Sequence, residues 1–329
     1  MKHKVFVTGA DGMLGTSICN ELIRRGYKVK RMVLPDRSLI ETPQRIETVY
    51  GNILDANFLE KEIAGCHYVI HTAALTTVWP RRSQLIKETN IEGTRNLMLA
   101  AEKYKVRRFI HIGTASSFRH GTLKNPGTEK NDYNGWKYRM DYMDSKYIAQ
   151  KLLLERFATN GFPVIIINPT YMIGPFDSGP SSGKLMIELL KDNIPGYSPG
   201  GKNFVCACDV ATAAVNSLES GRIGECYIVG NENLFYKEFF RKVCKVRRKQ
   251  YKLVRIPVLL VMFIGLFNSV RARLFSVHPG LSYSMARFSC LMQFYSSRKA
   301  REELHIQMTP IESGIDSSLK WFEANGYID

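Results

Sequence analysis

Tyr142 and Lys146, four residues apart in the segment YMDSK, are residue types that can perform acid/base chemistry together. A tyrosine with a reference pKa of about 10 is a poor base at neutral pH, and a fixed neighbouring cation favours its phenolate. On a helix, Lys146 lies one turn from Tyr142 and supplies that cation. The pair therefore predicts proton exchange between Tyr142 and a substrate oxygen.

The Tyr-x-x-x-Lys spacing occurs four times, so the sequence context has to select among the pairs. They are Tyr133/Lys137, Tyr142/Lys146, Tyr147/Lys151 and Tyr295/Lys299. The first contains Asn and Gly and indicates a loop, and the last lies far down the chain, in the C-terminal part. On the helix predicted from about Asp141 to Thr159, Tyr142 and Lys146 share a stripe with Ala149, Leu153 and Phe157. The pair Tyr147/Lys151 is rotated by about 100°, toward Glu155, so only Tyr142/Lys146 is expected in a cleft.

A glycine-rich turn follows the first apolar run of the chain. In TGADGMLG, Gly9, Gly12 and Gly15 stand three residues apart. Alone, such a triplet is often only a turn. Here a predicted strand precedes it and a helix begins inside it at Met13, which is typical of a dinucleotide site that holds a pyrophosphate at the helix start. The remaining predicted contacts of this turn are Asp11, Met13 and Leu14.

The end of the second predicted strand bears on the choice of dinucleotide. Asp36 is placed to bind the adenosine ribose of NAD, whereas the adjacent Arg37 favours the 2′-phosphate of NADP. Both residues also fit ordinary loop charges. The cofactor is therefore predicted as NAD or NADP, with a lean to NAD.

Short β-branched runs alternate with helical patterns through the first half of the chain, as in a parallel sheet. Strands are predicted at 4–9, 28–34, 46–52, 67–73, 107–114 and 162–170, and helices at 13–25, 55–64, 85–104 and 141–159. The fold class is α/β, a Rossmann-type doubly wound sheet. We predict a nucleotide-binding domain over 1–170, to which a strand at 225–230 returns, and a smaller, mostly helical substrate lobe over 171–329.

Composition narrows the function classes further. The seven cysteines lack any C-x-x-C spacing, which indicates neither a disulfide framework nor a metal site. The first residues, MKHKVFVTGA, lack the pattern of a signal peptide, so a cytoplasmic protein is expected. The net charge is +16, concentrated in the basic run 241–255, but no nucleic-acid recognition motif accompanies it.

An apolar segment, IPVLLVMFIGLF at 256–267, follows the basic run directly. It is shorter than the ~20 residues of a transmembrane helix. Three interpretations stay open: burial against the chain's own substrate lobe, contact with bound substrate, or peripheral membrane contact through 241–273.

The order of these motifs resembles that of the extended short-chain dehydrogenase/reductase family, nearly end to end. The matching segments are TGADGMLG, VIHTAA at 69–74, TNIEGTRNL at 89–97 and YMDSK. The resemblance implies that Asn90 maintains the active-site helix and a proton relay, that Lys146 binds the nicotinamide ribose, and that Thr114, or alternatively Ser116, orients the substrate. The cofactor contacts that it adds are Asn52, Ile53, Thr72, Ala73, Ala74, Asn168 and Pro169.

Two positions depart from the family pattern. Asn52 stands where relatives commonly carry an aspartate, and Leu34 stands where NADP-using relatives often have arginine. The resemblance is greatest to the branch of 3β-hydroxysteroid dehydrogenases and dihydroflavonol reductases, which implies a secondary alcohol or ketone on a bulky, apolar substrate.

Two other functions stay open. A nucleotide-sugar epimerase or dehydratase would need arginines such as Arg222, Arg247 or Arg248 for a second pyrophosphate. A non-catalytic NAD(P)-sensing protein would be expected to lose the tyrosine and the lysine. A homodimer formed through the helices of 82–104 and 141–159 would fit the family.

Overall fold

A seven-stranded parallel sheet forms the centre of the larger lobe. The computed structural model describes residues 3–36, 46–250 and 253–328. The sheet strands are β1 (Lys4–Thr8), β2 (Lys28–Val33), β3 (Ile46–Tyr50), β4 (Tyr68–His71), β5 (Arg108–Ile112), β6 (Val164–Pro169) and β10 (Cys226–Val229). Their order is β10-β6-β5-β4-β1-β2-β3, and every neighbouring pair is parallel. The predicted doubly wound α/β class is confirmed.

Helices cover both faces of this sheet. They are α1 (Met13–Arg24), α2 (Ala56–Ile63), α3 (Gln84–Lys87), α4 (Gly93–Lys103), α5 (Asp141–Asn160), α7 (Ala207–Asn216) and α11 (Arg298–Glu303). One apolar cluster joins α1, α7 and α11 to one face, and a second joins α2, α4 and α5 to the other. Because both faces are covered, β1, β6 and β10 are largely apolar on both faces. The strands β2 and β3, at one edge of the sheet, instead carry charged residues.

The helix predicted over 85–104 is interrupted. A π-helical turn, Glu88–Glu92, separates α3 from α4. Such turns are rare and often occur at functional sites. This one carries Asn90 inward, where its side chain is buried. Short 3₁₀ turns occur at Ala115–Ser117 and Gly135–Tyr138, the second directly before α5.

The smaller lobe contains more sheet than the sequence indicates. Its helices are α6 (Lys184–Leu190), α8 (Tyr236–Val246), α9 (Val258–Leu274), α10 (Tyr283–Ser289) and α12 (Ile311–Ala324), and its strands are β7 (Tyr171–Ile173), β8 (Gly196–Tyr197), β9 (Gly201–Cys206), β11 (Glu232–Phe235), β12 (Val254–Arg255) and β13 (Met292–Gln293). Strand β9 pairs with β7, β11 and β13. Strands as short as β7 and β13 carry too few residues for a periodic signal, so the expectation of a mostly helical lobe omits this sheet.

Among the residues that the structure describes, no helix has both the length and the apolar character needed to cross a bilayer.

Candidate active site

The glycine-rich turn between β1 and α1 is closed by backbone contacts. Gly9 has a φ of +66°, and a Cβ there would lie 2.6 Å from the Ala73 nitrogen. A Cβ on Gly15 would lie 2.1 Å from the Gly9 carbonyl oxygen. Only glycine fits either position, because any side chain would separate the turn from the helix or from the loop after β4.

Gly12 differs from the other two glycines. It is the N-cap of α1, and a Cβ built on it meets only the Gly9 oxygen, at 3.6 Å, so the space above it is open. The first turn of α1, which includes Met13 and Leu14, contains no acidic residue. Its first N–H groups have no partner within the helix and carry its positive end. This geometry fits the pyrophosphate of a dinucleotide at Gly12, with Asp11 in the same turn.

The predicted adenosine contacts lie at the carboxyl ends of neighbouring strands. Asp36 is exposed three residues after β2, while Arg37 lies outside the described residues. Asn52 follows β3, and its Oδ1 accepts a hydrogen bond from the Leu54 nitrogen at 3.0 Å. Ile53 is buried. The structure therefore brings Asp36 and Asn52 to the edge at which doubly wound sheets bind ligands.

The loop after β4 is fastened to the glycine-rich turn. The Thr72 hydroxyl donates to the carbonyl oxygens of Thr8 and Gly9, at 2.6 and 3.1 Å. The Ala73 nitrogen donates to the Thr8 hydroxyl at 3.4 Å. Thr72, Ala73 and Ala74 all remain partly exposed. The predicted cofactor loop thus borders the predicted pyrophosphate site.

Asn90 joins that loop to the helix of the tyrosine. Its Oδ1 accepts from the Leu75 nitrogen at 2.8 Å, and its Nδ2 donates to the Leu75 oxygen at 3.0 Å and to the Ser145 hydroxyl at 2.9 Å. Ser145 in turn donates to the Tyr142 carbonyl oxygen at 3.0 Å. These contacts agree with the helix-maintaining role that the family resemblance implies for Asn90.

A buried histidine extends this network, and sequence reasoning did not select it. The ring nitrogens of His71 lie 2.9 Å from the Thr8 hydroxyl and 2.9 Å from the Thr94 hydroxyl. Thr94 donates to the Asn90 carbonyl oxygen at 2.7 Å. Burial, and secondarily the charge of Lys146, lowers the pKa of His71 to about 3. His71 is therefore a neutral link, and its position inside VIHTAA was its only sequence signal.

Tyr142 meets Thr114 rather than Ser116. The Thr114 hydroxyl lies beside the Tyr142 phenol, where it acts to lower the Tyr142 pKa, and it also accepts from the Ser116 nitrogen at 3.3 Å. The Thr114 nitrogen donates to Asn168 Oδ1 at 3.0 Å. Asn168 is buried near the end of β6, followed by Pro169. Of the two hydroxyls left open by the sequence, Thr114 is therefore the one positioned beside the tyrosine.

Lys146 is buried on the same stripe of α5, and its Nζ donates to the Ile112 carbonyl oxygen at 2.6 Å. Burial lowers its pKa to about 7. Burial also raises the pKa of Tyr142, and the bond from Thr114 only partly opposes this. The lowering of the Tyr142 pKa that the sequence predicts from Lys146 is therefore not found in this structure, where burial dominates and the Lys146 ammonium donates to a carbonyl oxygen.

The second pair on α5 faces outward. Tyr147 stacks on Tyr133 with ring centroids 4.3 Å apart. Lys151 has a 63% exposed side chain whose Nζ lies 3.5 Å from a carboxylate oxygen of Glu155. Neither side chain reaches the edge of the sheet where the cofactor loops meet.

The other two Tyr-x-x-x-Lys pairs serve structural contacts. The Tyr295 hydroxyl donates to the Phe118 oxygen at 3.2 Å, and Lys299 donates to Glu225 at 2.6 Å. Tyr133, of the remaining pair, donates to Asp144 at 2.6 Å.

An apolar cluster surrounds Tyr142 on the side of the smaller lobe. Its members are Tyr133, Tyr138, Met140 and Met143, with Tyr142, Tyr147, Phe288 and Leu291 packed against them. Lys202, on β9, places its ammonium 5.5 Å from the Phe288 ring and 4.8 Å from the Tyr171 ring. Burial lowers the pKa of Lys202 to about 8. No motif in the sequence marked Lys202.

The fold and these contacts define a Rossmann-fold enzyme that uses a nicotinamide dinucleotide. The family described as the NAD dependent epimerase/dehydratase family matches residues 5–230. The chain belongs to this family. The predicted enzyme class, cofactor and membership of the extended short-chain dehydrogenase/reductase group are thereby confirmed.

Named relatives cover almost the whole chain. A putative dihydroflavonol 4-reductase of Synechocystis is 26% identical over 336 residues, which cover 98% of this chain and 95% of that protein. Sterol demethylase protein B of Methylococcus capsulatus is 26% identical over 330 residues, with coverages of 98% and 99%. The crystal structure of gox2253 is 29% identical and superposes with a TM-score of 0.86 over 100% of both chains.

Proposed function

We propose that the chain is an NAD-dependent oxidoreductase that interconverts a secondary alcohol and a ketone on a bulky, largely apolar substrate. The observation that carries this proposal is the Tyr142 phenol beside the Thr114 hydroxyl, on the stripe of α5 that buries Lys146. An acid and a hydrogen-bonding hydroxyl converge there on one point where a substrate oxygen can lie.

Tyr142 supplies the proton in ketone reduction. Because burial raises its pKa, the phenol is protonated at neutral pH and can donate to a carbonyl oxygen. Thr114 hydrogen-bonds the same oxygen and fixes its position. NAD held at this site would supply the hydride transfer, so the residues of the chain would have to handle only the proton. Oxidation requires the Tyr142 phenolate, which the Thr114 hydroxyl favours.

Lys146 combines a structural and a cofactor contact. One of its three N–H groups donates to the Ile112 oxygen, which leaves two for ribose hydroxyls. The turn from Gly9 to Gly15 would hold the pyrophosphate and Asp36 the adenosine ribose. Asp36 at this position, and Leu34 in place of an arginine, support NAD over NADP.

The apolar cluster around Tyr142 supports a hydrophobic substrate. Tyr138, Met140 and Met143 come from the segment that leads into α5, and Phe288 and Leu291 approach from the smaller lobe. Each Å² of apolar ligand surface buried there would contribute about 25 cal/mol. The names of the two relatives, a dihydroflavonol reductase and a sterol demethylase protein, agree with a fused-ring alcohol or ketone.

A nucleotide-sugar epimerase or dehydratase is the second candidate, and Lys202 is the observation that favours it. Its partly buried ammonium donates to Gln293 at 3.3 Å and has no carboxylate partner among the described residues. Such a cation could bind a substrate phosphate. Two of the three arginines that the sequence offered are engaged elsewhere. Arg222 pairs with Glu303 before β10, at the opposite edge of the sheet, and Arg247 pairs with Glu323.

An assay with two readouts distinguishes these candidates. The purified protein is incubated with NAD or NADP and hydroxysteroids, flavanols or nucleotide sugars. Net oxidation of an alcohol is followed by the absorbance of the reduced cofactor, and epimerised or dehydrated sugar, whose formation leaves no net reduced cofactor, is followed by chromatography. We expect turnover with NAD and an apolar ring alcohol, and a rate about 10²–10⁴-fold lower with Tyr142→Phe. Turnover of nucleotide sugars alone, lost in Lys202→Met, would establish the second candidate instead. Equal turnover by Tyr142→Phe would contradict both.

A homodimer through α4 and α5 also belongs to this proposal. The groove between these helices, about 510 Å³, is lined by the exposed Leu99 and Ile148. Ile148→Glu should convert a dimer to a monomer in light scattering. The control Ile223→Glu changes an isoleucine that is equally exposed outside this groove, and it should not. A monomeric wild-type protein would refute this interface.

A further inference from the structure

Helix α9 exposes an apolar surface that the fold does not use. Leu259 is 83% exposed, Phe263 67% and Phe275, directly after the helix, 70%. The other large apolar side chains exposed in this segment are Val258, Leu260, Leu266, Phe267, Val270, Leu274 and Val277. A patch of this kind marks an interaction surface, because a monomeric protein rarely leaves so many apolar side chains together in water.

The helix is nevertheless well seated on the protein. Its buried residues, Val261, Gly265 and Ala272, form one narrow stripe. A Cβ on Gly265 would lie 2.5 Å from the Ala286 Cβ, so α9 packs closely against α10 at this point. The exposed residues lie on the side of α9 that points away from the protein. They therefore stay exposed although the buried stripe of the helix is packed.

The charge around this surface is of one sign. Residues 239–301 contain fourteen Lys or Arg and no Asp or Glu. Arg255 precedes α9, and Arg271 and Arg273 lie in its last turn; all three are exposed and form no ion pair within the described part of the chain. An apolar face with cations at both ends is complementary to a surface that is apolar inside and anionic outside.

We propose that α9 lies in the interface of an anionic lipid bilayer, with Leu259, Phe263 and Phe267 among the acyl chains and Arg271 and Arg273 at the headgroups. At 1.5 Å per residue its 17 residues extend about 25 Å, less than the ~30 Å hydrocarbon core. The helix therefore lies along the membrane and does not cross it. The surface is independent of the proposed function.

The membrane face adjoins the candidate active site through one helix. Helix α10, which packs on Gly265, also carries Phe288, whose ring centroid lies 5.0 Å from that of Tyr138 in the apolar cluster around Tyr142. A substrate dissolved in the bilayer would thus have a short apolar route to the cleft.

Vesicle flotation of the full chain tests the proposal. The probes are vesicles of phosphatidylcholine alone and vesicles with about one third phosphatidylserine. We expect flotation with the anionic vesicles, reduced at least tenfold in the double variant Leu259→Glu/Phe263→Glu. The control Leu123→Glu changes a residue that is 56% exposed outside this surface, and it should bind like the wild type.

A charge-reversal variant tests the electrostatic part. Arg271→Glu/Arg273→Glu should bind anionic vesicles more weakly and with less salt dependence, because it replaces two of the cations at the headgroups. Circular dichroism should be unchanged in every variant, since all substituted side chains are exposed. Absence of flotation by the wild type would overturn the proposal. So would a dimer that dissociates in Leu259→Glu/Phe263→Glu without any vesicle binding, which would assign the surface to a second copy.

Discussion

Helix α5 carries the same motif twice, on two faces that the structure treats differently. Tyr142 and Lys146 are turned toward the sheet, where the phenol meets Thr114 and the ammonium donates to Ile112. Tyr147 and Lys151, on the outer face, have an aromatic neighbour and an exposed ion pair with Glu155. Residue type and spacing are identical, so the chemistry must come from burial and from the partners that burial imposes.

The two faces also differ in what they require of the fold. The inner face depends on long-range contacts: Ser145, beside Lys146, is held by Asn90 from the π-helical turn. At the start of the helix, the buried Asp141 accepts from the Ser83 nitrogen at 2.8 Å and pairs with Arg82. On the outer face, Tyr147 has ring contacts with Tyr133 and Trp136, and Lys151 pairs with Glu155, so these contacts join residues close in the sequence. The same substitution made on each face should therefore distinguish a catalytic role of the side chain from a purely structural one.

The largest difference is expected for the tyrosines. Tyr142→Phe removes the proton donor and should lower kcat by about 10²–10⁴-fold, the usual contribution of general acid/base catalysis. Its affinity for NAD should be nearly unchanged, since the phenol is not a predicted cofactor contact. Tyr147→Phe is the control and should keep wild-type kcat. Steady-state kinetics and fluorescence titration of NADH measure both quantities. Equal losses in the two variants would mean that the inner position has no catalytic role.

The lysines should give the next largest difference. Lys146→Met removes the proposed hydrogen bonds to the ribose and should lower kcat/KM about 10–100-fold, since bonds to charged groups contribute about 1.5–3 kcal/mol. NAD binding should weaken as well, unlike in Tyr142→Phe. Lys151→Met makes the same substitution on the outer face and should change neither kcat/KM nor NAD affinity. Because Lys151 lines the groove of the proposed dimer, the oligomeric state of this variant is verified by light scattering. Unchanged NAD affinity in Lys146→Met would refute the ribose contact.

Of the two lysines compared on α5, only Lys146 should make stability depend on pH. Burial lowers the pKa of Lys146 from 10.5 to about 7. Between these values the unfolded chain binds a proton that the folded chain releases, so the free energy of unfolding rises with pH across this window. Lys146→Met should remove about 1–2 kcal/mol of this rise, measured by urea unfolding at pH 7 and pH 9. Lys151→Met should retain it, and a wild-type stability that falls across the window would contradict the sign.

The smallest effect is expected at the hydroxyls. Thr114→Val keeps the shape of the side chain but loses its bond to the substrate oxygen, for an expected fall in kcat/KM of about 3–10-fold. Ser116→Ala should change little, because the structure pairs Tyr142 with Thr114. Kinetics of both variants with one substrate decide the assignment. A larger loss in Ser116→Ala would reverse it.

Local sequence patterns were sufficient to predict the elements that position the site. The glycine-rich turn, the parallel sheet and the inner stripe of α5 follow from periodicity and from backbone requirements that act over a few residues. Gly9, Gly12 and Gly15 lie where the strand-turn-helix context placed them, and the strand at Cys226–Val229 returns to the sheet beside β6.

Features that depend on long-range contacts were not predictable in this way. The π-helical turn that buries Asn90, and the bond from His71 to Thr94, join elements that are distant in the sequence. The direction of the Tyr142 pKa depends on desolvation, which no spacing reveals. The exposure of the apolar segment 256–267 was also not predictable from the sequence. Its composition suits a buried helix, and only the fold shows that α9 is exposed.

A crystal structure of the complex with NAD tests the central claim most directly, since it locates the nicotinamide relative to the two faces of α5. We predict Lys146 Nζ within about 3 Å of a ribose hydroxyl, with the Tyr142 phenol and the Thr114 hydroxyl both directed at the space beside the nicotinamide C4 atom. A nicotinamide that contacts neither side chain, or one bound on the side of Tyr147 and Lys151, would contradict it.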